Sequence, residues 1–215
     1  MAHVPGSVVR VFVLGIDPGL TRCGYSVVEG HGRRARALAL GVLTTPATDP
    51  LPTRLADLQR DIRALLVEFS PQVVAVERVL FQVNVRTAMS VGQASGIAMA
   101  EAASAGCEVV QYSPNEVKQA VAGYGAATKE QVQVMVQTLL GLATLPQPAD
   151  AADAAALALT HLAVATSLTA SSLDAASPAS PAAAARMAPR SGAGQVKNAV
   201  GRTQRPAQSL PGAPR

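Results

Sequence analysis

Tryptophan is absent from this 215-residue chain, and tyrosine and phenylalanine contribute only three residues each. Any core must therefore be aliphatic, and a 49% share of apolar residues is enough to build one substantial domain. The length excludes two large lobes. Cysteine is almost missing as well: Cys23 and Cys107 stand far apart, outside any C-x-x-C or His–Cys cluster, which argues against a zinc site or a redox pair and leaves two reduced thiols. No uninterrupted apolar run approaches the ~20 residues of a membrane span, so no membrane partner is expected. The early run VVRVFVLGID is broken by Arg10 and is followed by no small-residue cleavage site, so it reads as a strand rather than a secretion signal. A cytoplasmic protein is the expectation.

Charge is unevenly placed. Met1 to Ala165 carries 12 Lys+Arg and 13 Asp+Glu, whereas Thr166 to Arg215 carries 6 and 1, so the basic balance comes from the end of the chain. That end is rich in Ala, Ser, Pro, Gly and Arg and has little with which to build a core. It is expected to be a disordered basic tail over 166–215, with at most a weak, salt-sensitive attraction to nucleic acid.

Strand and helix patterns alternate before the tail. VVRVFVLGID is a candidate buried strand, and CGYSVVEG and ARALALGVLTT follow as antiparallel neighbours across the turn-rich GHGRR. LPTRLADLQRDIRALLVEFSP repeats apolar residues at helical spacing and stops before Pro71. QVVAVE is almost wholly apolar, which suits a strand covered on both faces. A helix at VRTAMSVGQASGIAMAEAASAG, a strand at EVVQYSP and helices at NEVKQAVAGYG and KEQVQVMVQTLLGL lead to an alanine-rich helix at PADAADAAALAL. Three strands in a meander, then strand and helix in alternation, predict an α/β fold: a mixed sheet flanked by helices.

The chemistry lies with four carboxylates. Asp17 ends the first strand in GIDPGLTRCG, where an Asp also serves to cap a sharp turn. Glu77 closes VVAVE, where an ionised group among small apolar residues needs a partner. Adjacent, parallel strands would bring both to one sheet edge, the usual place for a site in open α/β folds. Asp150 and Asp153 are three residues apart on a helix, a turn of roughly 300°, so their like charges share one side. Either they cap the helix and meet its dipole, or they join the strand carboxylates around hard divalent cations such as Mg²⁺. His161, two turns further on, is expected to pack or cap.

GIDPGLTRCGYSVVE, VAVERVLFQVNVRTAMSVGQASG, QYSPNEVKQAVAGYGAATKEQVQ and PADAADAAALALTHL together resemble the RuvC family of Holliday junction resolvases, in matching order and spacing up to the tail. The resemblance implies a ribonuclease-H-like nuclease domain over 1–165. It also implies a homodimer, metal-dependent nicking of two opposed strands of a four-way DNA junction, and collaboration with the branch-migration proteins RuvA and RuvB. The family's acidic positions fall on Asp17, Glu77, Asp150 and Asp153, and two Mg²⁺ per subunit, or Mn²⁺ in their place, are implied with them. Asp17 is assigned as the bridging ligand, Glu77 and Asp150 as flanking ligands, and Asp153 as ligand or proton acceptor. The family's DNA-contacting lysines fall on Lys118 and Lys129. Arg78 and Arg86 lie in segments beside the proposed site. The aromatic that the family stacks on a junction base, three residues after the strand glutamate, is Leu80 here, with Phe81 beside it as the candidate. Small residues along TAMSVGQASGIAMA allow close approach of another helix, within the subunit or across a two-fold axis.

Two rival classes share parts of this pattern. An actin-like ATP-binding protein also begins with a strand and a D-x-G-x-T turn, but it needs a second phosphate-binding lobe for which there is no room. A junction-binding module without chemistry would not need four intact carboxylates.

Overall fold

The computed structural model describes residues 10–32, 34–79 and 85–175, with the side chains of 85–87 and 168–175 excepted. Leu80 and Phe81, and the side chain of Arg86, lie outside the described residues. The elements run β1 Arg10–Asp17, β2 Arg22–His31, β3 Arg34–Thr44, α1 Leu51–Phe69, β4 Val73–Glu77, α2 Val85–Ser104, β5 Glu108–Tyr112, α3 Pro114–Ala122, α4 Lys129–Leu140 and α5 Ala149–Ala175. They match the expected series of strands and helices in order and kind. The five strands form one sheet in the order β3-β2-β1-β4-β5. The β1–β2 and β2–β3 pairs are antiparallel, while β1–β4 and β4–β5 are parallel. Among the described residues, no helix is long and apolar enough to cross a membrane.

Period-two alternation divides the core between the two faces of the sheet. Val13 on β1 and Val73 and Ala75 on β4 pack with residues of α3, α4 and α5, whereas Leu14, Ile16, Val74 and Val76 pack with α1 and α2. Asp17 and Glu77 continue the first of these two series, so both point to the α5 side. On α1 the fully or nearly buried Leu58, Ile62, Leu65 and Leu66 follow the helical spacing of the sequence. Each such side chain contributes about 1.5–3 kcal/mol by leaving water. Helices α3 and α4 are started by capping boxes, Ser113 with Glu116 and Thr128 with Gln131. The second box fixes the first residue of α4, Lys129, at the edge of the sheet where the carboxylates lie.

Helix α5 has no polar stripe in its first half: Ala151, Ala152, Ala154, Ala155, Ala156, Leu157, Ala158 and Leu159 are all buried. It can lie almost on the sheet because three strand residues have no side chain. A Cβ at Gly15 would overlap the Ala154 carbonyl oxygen, and one at Gly24 would overlap the carbonyl oxygen of Asp150. At Gly30 the added carbon would meet only the end of the Leu162 side chain. Gly24 stands opposite Asp17 in the β1–β2 register, so the seam lays the start of α5 beside the end of β1. The helix also continues through Ala175, past the boundary expected at Ala165. TSLTASSLDA has neither Pro nor Gly to stop it, and Pro178 is the first breaker after it. A truncation that keeps α5 whole therefore begins at Ala176.

The seam makes an unequal prediction for two formally identical changes. Gly15→Ala forces backbone apart, an overpacking cost of about 1–3 kcal/mol, and should lower the melting temperature by roughly 5 °C at this chain size. Gly30→Ala should cost clearly less, because the end of Leu162 can turn aside. Thermal melts of the two variants followed by circular dichroism check this, and equal losses would show that α5 is free to lift away.

Candidate active site

The parallel β1–β4 ladder pairs Ile16 with Val76, so Asp17 and Glu77 are next neighbours across the two strand ends. The two carboxyls are close enough for the charge of Glu77 to act on Asp17. Burial, and after it the charges of Glu77, Asp153 and Asp150, raise Asp17 to about 7, with Lys129 opposing. Glu77 is also raised, by burial first and then by Asp153. Asp17 therefore keeps its proton up to about neutral pH.

The first turns of α5 bring the other two acids. Asp150 lies inside the helix rather than at its cap. Its Oδ2 accepts from Nε and Nη2 of Arg22, at 2.8 and 2.7 Å. Asp153 Oδ2 lies 2.6 Å from Nζ of Lys129, whose ammonium is held charged mainly by that bond. The like-charge repulsion expected between Asp150 and Asp153 is thus relieved residue by residue: each carboxylate has its own cation. A cavity of about 300 Å³ opens beside Glu77 and Asp153 and is lined by both Lys118 and Lys129.

The fold brings together six of the residues singled out from the sequence: Asp17, Glu77, Asp150, Asp153, Lys118 and Lys129. Arg78 is directed elsewhere. Its amide extends the β4–β5 ladder to Tyr112 O at 2.8 Å. Its guanidinium donates to Gln111 O at 3.1 Å and lies 3.7 Å from Glu116. Glu116 is the capping-box residue of α3, so Arg78 is drawn to the start of that helix. His161 packs, with Nδ1 3.0 Å from the Tyr112 hydroxyl and its pKa lowered by burial. Arg22 was not singled out by sequence reasoning. Its only signal is its place in the GIDPGLTRCG turn that carries Asp17.

Among the described residues, no three or more His, Cys, Asp or Glu are grouped as a formed metal site. The donors nevertheless suit a hard divalent cation: all four are carboxylates, two of them at buried strand ends and two paired with Arg22 and Lys129.

Comparison with known proteins points one way. The profile of the family described as crossover junction endodeoxyribonuclease RuvC matches residues 13–161. A protein of that name from Salinispora arenicola is 54% identical over 151 residues, covering 70% of this chain and 86% of its own. One from Chloroflexus aggregans is 50% identical over 155 residues, covering 72% and 94%. Among solved structures, T. thermophilus RuvC in complex with a Holliday junction substrate superposes with a TM-score of 0.71 at 40% identity, covering 74% of this chain and 97% of that one.

The raised Asp17 carboxyl makes a prediction about pH. A carboxyl whose folded pKa lies above its unfolded value stabilises the fold fully below about pH 4, and that contribution is lost as pH rises through about 7. In EDTA, Asp17→Asn should therefore raise the melting temperature relative to wild type at pH 8 by several degrees and leave it nearly unchanged at pH 4. An equal gain at both pH values would assign the effect to packing instead.

Proposed function

Because the chain belongs to the RuvC family of crossover junction endodeoxyribonucleases, it is an endonuclease that resolves Holliday junctions in DNA recombination, and we propose that Asp17, Glu77, Asp150 and Asp153 form its catalytic centre. The observation that carries this reading is the convergence of four carboxylates from β1, β4 and α5 at one sheet edge, with Lys118 and Lys129 on the adjoining cavity. Asp17, Glu77 and Asp150 would hold the divalent cations, with Asp153 as ligand or proton acceptor. When bound, two Mg²⁺ per subunit, or Mn²⁺ in their place, supply the activation of the attacking water and the neutralisation of the departing 3′-oxygen. The protein's own part is to yield the proton that Asp17 keeps up to about neutral pH, which makes cation uptake favourable as pH rises. Lys118 and Lys129 hold the phosphate backbone over the acids. Phe81 beside the junction and Arg78 and Arg86 at its periphery complete the DNA surface in this reading.

The reading extends to partners. A homodimer is supported by the outer face of α1 and α2, which carries a groove of about 580 Å³ lined by Leu55, Ala56, Gly96, Ile97 and Ala100. A Cβ at Gly92 or Gly96 would meet nothing within 4 Å, and Met89 is 60% exposed beside them. A second copy presenting the same helices would cover this face, so that two centres could address two opposed strands. Action beside RuvA and RuvB, in the cytoplasm, follows from the family resemblance.

Two experiments test the proposal. On a synthetic four-way junction with Mg²⁺, Asp17→Asn and Glu77→Gln should each reduce nicking by orders of magnitude and keep junction binding within a few-fold, with EDTA silencing the wild type. Binding lost in step with cleavage would contradict the assignment. Gly96→Arg should shift the full-length protein from dimer to folded monomer in analytical ultracentrifugation, and an unchanged dimer would place the two-fold contact elsewhere.

A further inference from the structure

The tether on Asp150 is built more carefully than a chance surface contact. Arg22 opens β2 just beyond the turn after Asp17, and that turn is clamped from two sides. Thr45, which is buried, donates its hydroxyl to Leu20 O at 2.5 Å and its amide to Thr21 O at 3.2 Å. Arg54 of α1 donates from Nε to the Thr45 hydroxyl at 3.0 Å and from Nη2 to the Thr21 hydroxyl at 2.7 Å. Arg22 therefore starts from fixed backbone. Across from it, Gly24 lets the Asp150 backbone lie against β2, with Asp150 Cβ only 3.1 Å from the position of an added Cβ. Both ends of the pair are held by the fold, and the two guanidinium donors meet one carboxylate oxygen.

We propose that Arg22 is a positioning residue for Asp150 that neutralises this carboxylate until a divalent cation takes it, and so raises the cation concentration at which the enzyme becomes active. The inference rests on the carboxylate reading above. A guanidinium cannot surrender its charge by losing a proton, so it leaves Asp150 only by displacement. Displacement is feasible because the pair is in contact with water, at 49% and 30% side-chain exposure. A tethered cation that stays beside the ligand also opposes the incoming charge.

The test uses Mn²⁺ as the probe. In full-length protein without DNA, Arg22→Gln should tighten Mn²⁺ binding roughly fivefold by titration calorimetry, the size expected when an exposed charge pair is removed. The Mg²⁺ concentration for half-maximal junction nicking should fall by a similar factor. Arg22→Lys, which keeps the charge and loses the fork, should lie between wild type and Arg22→Gln. A merely structural role would lower the melting temperature in EDTA without tightening Mn²⁺. Unchanged or weaker Mn²⁺ binding by folded Arg22→Gln overturns the proposal. If that variant does not fold, wild-type affinity in Arg22→Lys overturns it. Wild-type protein that neither binds Mn²⁺ nor nicks with Mg²⁺ would overturn the carboxylate reading, and this inference with it.

Discussion

The close approach of α5 to the β1–β2 ribbon is the constraint on which the site depends. Gly15 and Gly24 remove the side chains that would hold a helix at the usual distance from a sheet, and the alanines of α5 fill the narrow gap. Packing without voids or overlap leaves the helix little freedom to slide or lift. Asp150 consequently lies over the residue that pairs with Asp17, and two acids from the far end of the chain are delivered to two strand ends. A larger residue in the seam would separate the acids before it unfolded the protein.

Gathering four carboxylates is electrostatically costly, and the protein distributes that cost among three devices. Burial leaves Asp17 protonated up to about neutral pH, Arg22 holds Asp150 and Lys129 holds Asp153. Each device is replaceable by a cation in a different way: the proton leaves with rising pH, the ammonium is displaced or redirected, and the guanidinium can only be displaced.

The two faces of the sheet divide the labour. On one, α3, α4 and α5 assemble the acids and the lysines around a cavity open to solvent. On the other, α1 and α2 cover the strands and leave a shallow apolar groove with Gly92 and Gly96 unobstructed. Arg54 links these regions, because from α1 it braces the turn that carries Arg22.

Read alone, the sequence determined the order and kind of the elements, since the periods of apolar residues and the Gly and Pro breaks are local properties of the chain. It also singled out the acids that the fold brings together: Asp17 and Glu77 end apolar strands, where a carboxylate is costly without a partner, and the motif order matched one family. Tertiary structure alone decided how the acids are neutralised. The pairing of Arg22 with Asp150 crosses most of the chain and has no local signature, and Arg78 is drawn to Gln111 O and Glu116, neighbours that only the fold supplies. The glycine seam was equally invisible, because a glycine in a strand says that something comes close and only the packed helix says what. The continuation of α5 to Ala175 belongs with these. Composition marked Thr166 as the start of a tail, but a helix already anchored on the sheet propagates through any segment that lacks a breaker, because nucleation, the costly step, has been completed upstream.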